Sequence, residues 1–117
     1  MKELSRQIYE ASRSILIEIG CHEAQSRQEQ RFITAYQIWS ELKKQDPPIC
    51  KVLIAECGGD YVGKGAGSHV GPAQKIAQVL GNSPDIETQY ILTQDLLIDG
   101  KGTTGKDCGI FRFLKKV

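Results

Sequence analysis

The 117-residue chain carries almost no excess of charge: 15 Lys and Arg face 14 Asp and Glu, for a net charge of +1. The balance also holds locally, with 7 basic and 6 acidic residues in 1–45, 3 and 3 in 46–81, and 5 and 5 in 82–117. No polybasic tail is present, which excludes polyanion binding by bulk charge alone. Long apolar runs are missing too. The longest, Val52 to Ala55 and Ile15 to Ile17, fall far short of the roughly 20 residues a membrane-crossing helix needs. The start, MKELSRQIYE, sets Lys2, Glu3, Arg6 and Glu10 where a secretory signal would need an apolar stretch. A cytoplasmic protein with no membrane partner is the expectation. Cysteines are few, Cys21, Cys50, Cys57 and Cys108, and without an export signal they are expected as reduced, buried thiols. No CxxC pair occurs, and neither Cys21-His22 nor the Cys50–Cys57 spacing suits a zinc site, so no metal and no cofactor is expected.

What is present suits one globular domain over residues 1–117, with 40% hydrophobic residues and 12 glycines. Residues 3–19 predict a helix, because Leu4, Ile8, Ala11, Ile15 and Ile19 share one face, and Gly20 suits a helical stop. Two capping boxes compete for the next helix, Ser26 with Glu29 and Thr34 with Gln37, and that helix runs through Ala35, Ile38, Trp39 and Leu42. Asp46 as N-cap and Pro47 at the first helical position open a further segment, ICKVLIAEC, that stops at Gly58-Gly59. Val52 to Ala55 would equally suit a buried strand; the cap favours helix. Pro72 to Leu80 predicts another helix, with Ala73, Ile76, Ala77 and Leu80 on one face and Gly81 as its stop.

Beyond Pro84 the residues favour strands. Ile86, Thr88, Tyr90 and Leu92 alternate with Glu87 and Gln89, which predicts a half-buried strand. Residues 96–98 and 108–114 flank DGKGTTGKD, which reads as a hairpin loop. The fold class is therefore α+β, with three or four helices followed by a small antiparallel sheet.

The segment GGDYVGKGAGSHVG, residues 58–71, holds six of the 12 glycines. Gly58 to Lys64 matches GxxxxGK, a nest of backbone amides able to receive an anion, so Gly63, Lys64, Gly65 and Gly67 are candidate ligand residues. The position that should hold a magnesium-binding Ser or Thr is Gly65, and a strand should lead into such a loop. Tyr61-Val62-Gly63-Lys64 also resembles the second half of the GIY-YIG nuclease signature. No arginine lies between Arg31 and Arg112 to stabilise a cleaving phosphate, and no catalytic residue is assigned. His69, beside Ser68, precedes the Pro72 helix.

The order of elements resembles the winged-helix fold, with helices at 34–45, 49–57 and 72–81 and the wing at 96–114. That resemblance implies a third helix in the major groove of DNA and a wing loop on phosphate. The candidate nucleic-acid residues are then Ser68, His69, Gln74, Lys75 and Gln78, with Lys101 and Lys106 in the wing. Gln suits adenine edges, and Lys suits guanine or phosphate. A second expectation concerns assembly. The stripe of the first helix, widened by Leu16 and Ile17, predicts that residues 1–20 cross to a second copy and form a homodimer. DNA and a second copy are thus the expected partners.

Overall fold

In the computed structural model the described residues are 2–26, 30–60, 71–92, 97–98, 101–102 and 107–114. Helix α1 spans Lys2–Ile15 and runs straight into a π-helical turn, Leu16–Gly20. The wider turn changes which side chains face inward. Leu4, Ile8, Ser12 and Leu16 form a buried row at intervals of four, with Ile15 beside it. Ala11 and Ile19, expected on the stripe, are only half-buried, and Ile17 is exposed. Gly20 does not act as a left-handed stop. A Cβ there would stand 3.1 Å from the Arg31 carbonyl oxygen, so glycine permits a close approach of two backbones. Arg31 closes the helix end: its amide donates to the Gly20 carbonyl at 2.8 Å, and its guanidinium to the Ile19 and His22 carbonyls at 3.0 and 3.3 Å.

Strand β1, Ile33–Thr34, leads directly into helix α2, Ala35–Gln45. Of the two competing caps, Thr34 with Gln37 starts the helix. The Gln37 amide donates to Thr34 Oγ1 at 3.1 Å, and the Thr34 amide donates to Gln37 Oε1 at 2.9 Å. Asp46 belongs to the end of α2 rather than to the start of the next helix. It adopts a left-handed conformation (φ 52°) that Asp tolerates, and its amide donates to the Leu42 carbonyl. Helix α3, Pro48–Cys57, therefore has Pro47 as N-cap and Pro48 at its first position. The ambiguous apolar run is helical, with Leu53 buried and its neighbour Val52 exposed. Gly58, at φ 78°, ends α3 in the region only glycine enters freely. Helix α4, Pro72–Gly81, turns Pro72, Ala73, Ile76 and Leu80 inward against α1 and α2.

The strands are β2 (Ile86–Leu92), β3 (Leu97–Ile98), β4 (Lys101–Gly102) and β5 (Asp107–Phe113). The main sheet is antiparallel in the order β1-β5-β2, and β3 and β4 form a separate two-stranded ribbon. The expected hairpin between 96–98 and 108–114 is not formed. Ile98 pairs with Lys101, while β5 pairs with β2 from Ile86↔Phe113 to Leu92↔Asp107. Two long strands with matched register make more ladder bonds than a three-residue piece could, so β2 takes β5 as its partner. Four helices with a three-stranded antiparallel sheet make the fold α+β. The core lies where the helices meet the sheet, with Ile38, Leu53, Ile76 and Leu80 from the helices and Phe111 from β5 fully or nearly fully buried.

Leu4, Ile8, Ile15 and Leu16 of the expected stripe are buried against helices of their own chain. Of the surface that predicted a dimer, Ala11 and Ile19 remain half-buried and Ile17 exposed. Among the described residues, no helix is long and apolar enough to cross a membrane.

Candidate functional site

The inward turn of Ala73, Ile76 and Leu80 forces Gln74, Gln78 and Asn82, spaced four apart, onto the opposite edge of α4. These three amides form one wall of a groove of about 520 Å³. The sheet supplies the other wall and the floor through Thr88 and Tyr90 of β2 and Gly109 and Phe111 of β5. Small residues keep the groove open: Ala35, Ala73, Ala77 and Gly81 all line it. None of the described lining residues is charged.

Two local features shape the sheet side. Tyr90 pairs with Gly109, and a Cβ on Gly109 would stand 3.0 Å from Phe111 Cζ. The Phe111 ring thus lies over the place where a side chain at 109 would sit. Tyr90 meanwhile is 70% exposed and Leu92 75%, with only Ile86 of the alternating set buried. The expected half-buried strand is therefore covered at one end alone, because the helices stop short of Tyr90 and Leu92.

Gln74 and Gln78 thus share the groove, as their spacing predicts. Lys75 faces away from it, into a second cleft of about 370 Å³ that α1 borders through Ser5 and Tyr9. There the Tyr9 hydroxyl donates to the Asp85 carboxylate. Burial first, and then that carboxylate, push the Tyr9 hydroxyl above its ordinary value. Lys101 lies in β4, outside the main sheet. Ser68, His69, Lys106 and the loop residues Gly63, Lys64, Gly65 and Gly67 lie outside the described residues. The segment leading to that loop is helix α3 rather than the strand a phosphate-cradling loop needs.

Chain comparisons with known protein families, with curated proteins and with solved structures give no match.

Asn82, Thr88 and Tyr90 escaped the sequence reading. Asn82 continues the spacing of Gln74 and Gln78, so the amide row was visible there. A further cluster had no sequence signal. Trp39 Nε1 donates to Asp60 Oδ1 at 2.9 Å, and Lys43 Nζ to Asp60 Oδ2 at 3.1 Å. The Lys43 ammonium also stands 5.5 Å from the Trp39 ring centre, a cation–π contact. Asp60 reads as a turn aspartate in the sequence but is the tie that fixes the chain beyond α3 onto α2. The four cysteines are free thiols, and burial pushes those of Cys21, Cys50 and Cys57 up, away from the reactive thiolate. Among the described residues no three His, Cys, Asp or Glu side chains gather as a metal site would require.

Proposed function

We propose that this chain is a non-enzymatic, winged-helix-like nucleic-acid-binding domain that presents helix α4 and the adjoining β2–β5 arm to its ligand. The observation that carries this reading is the division of α4. Its apolar side is seated on α1 and α2, while Gln74 and Gln78 stand free along a groove that Asn82, its amide donating to the Gln78 carbonyl at 2.9 Å, also lines. Amide side chains offer a donor and an acceptor together, the pattern that pairs with base edges. The order of elements supports the same reading: a helix, a short strand leading into more helices, then two long strands, with the first strand beside the last.

Binding of labelled DNA, offered both as duplex and as single strand over a salt series, tests the reading. The parent should bind at low salt, and Gln74→Ala with Gln78→Ala should weaken binding by about tenfold or more, since one good amide–base contact contributes about 1–3 kcal/mol. Changing Lys75, Lys101 and Lys106 to Ala should flatten the salt dependence, because each lost phosphate contact releases fewer counterions. A parent that binds neither form at low salt contradicts the proposal.

A further inference from the structure

The groove beside α4 is built for the base and not for the phosphate. Its described lining carries no cation, and the whole chain has a net charge of only +1. Phosphate contacts, for duplex or single strand, would have to come from lysines outside this lining. Its chemistry instead matches an uncharged, flat, hydrogen-bonding group. Tyr90 is 70% exposed and takes no part in the core, so its ring face is open. Gly109, its partner across the strand pair, projects no side chain beside it. Gln74 and Gln78, at the groove's other wall, make no side-chain hydrogen bonds among the described residues and are free to meet a base edge. A volume of about 520 Å³ lies within the range that holds small ligands.

From this, and resting on the nucleic-acid reading above, we infer that the groove takes an unpaired nucleobase. Tyr90 stacks on its face while Gln74 and Gln78 hydrogen-bond its edge, so single-stranded nucleic acid is the preferred form. A base held in a duplex hides both faces in the stack, whereas an unpaired base offers face and edge together.

Fluorescence anisotropy with a labelled DNA of about 12 nucleotides, a length of the order of known single-strand site sizes, separates the alternatives. The parent, Tyr90→Ala and Tyr90→Phe are compared on that strand and on its duplex at low salt. The single strand should bind at least about tenfold tighter than the duplex. Tyr90→Ala should weaken single-strand binding by about 5- to 150-fold, the loss of one stacked base, while Tyr90→Phe stays near the parent. Because Tyr90 is exposed, the variants should keep the parent's circular dichroism. Duplex binding as tight as single-strand binding, or a Tyr90→Ala protein that binds like the parent, overturns the inference and leaves the nucleic-acid reading standing. Binding of neither form overturns both.

Discussion

Ser12 occupies the buried row of α1 between Ile8 and Leu16, and its hydroxyl has no hydrogen-bond partner. A buried hydroxyl left unpaired carries a desolvation penalty with no return. Ser12→Ala removes that group at little cost in volume and at better helix propensity. The variant should be more stable by about 1 kcal/mol, a rise of a few degrees in Tm by calorimetry. A lower Tm would mean that the hydroxyl does bonding work in solution. At the same scale the sequence misleads about Tyr90. Its alternation with Glu87 and Gln89 marks a strand correctly, but alternation cannot say how far along the strand the helices reach. Ile86 is buried and Tyr90 is not, and that difference creates the candidate site.

Elements with strong local signals were legible because their boundaries depend on nearby residues alone. Thr34 with Gln37, Gly58 at φ 78° and Pro72 at the first position of α4 each meet a need of the backbone within a few residues. Where two signals compete, geometry decides: Asp46 could cap α3, but Pro48 at the first position of that helix hands the cap to Pro47. The π turn and the two-residue strand β1 had no such signature. Leu16–Gly20 is held by Arg31 from a separate segment, and β1 exists only because β5 lies beside it. Thr34 joins both kinds of structure, capping α2 while pairing with Ile110. Thr34→Ala should therefore cost about 1–2 kcal/mol, the upper part of the range for a lost cap, measured as a lower urea midpoint with unchanged slope. Thr34→Ser, which keeps the hydroxyl, should recover most of that loss.

Across the whole molecule, pH acts through groups that burial keeps neutral. The Cys50 and Cys57 thiols and the Tyr9 hydroxyl all have folded pKa values above their ordinary ones. Each ionises first in the unfolded chain, so its stabilising effect is complete below the unfolded pKa and disappears as pH rises through the folded value. Stability should be steady through neutral pH. It should then decline above about pH 8.5, where free thiols ionise, and further above about pH 10, where free tyrosine does. Tyr9→Phe should remove the second part of the decline. Urea midpoints that rise across this window would contradict the placement of these groups.

The α+β class was legible at this scale, because helix-forming and strand-forming residues divide near Pro84. The pairing was not, since β2 finds β5 across a connection that no local residue specifies. The candidate site follows from that pairing: Gln74 and Gln78 are readable in the sequence, but the groove exists only once Gly109 and Phe111 are brought opposite α4.

Amide chemical-shift mapping decides whether nucleic acid binds along α4 and the β2–β5 face. Adding single-stranded DNA to the isotope-labelled protein should move the signals of Gln74, Gln78, Asn82, Thr88, Tyr90 and Gly109, with smaller effects on the outer side of α1. Shifts confined to α1 and α3, or a spectrum that DNA leaves unchanged at low salt, would contradict binding there.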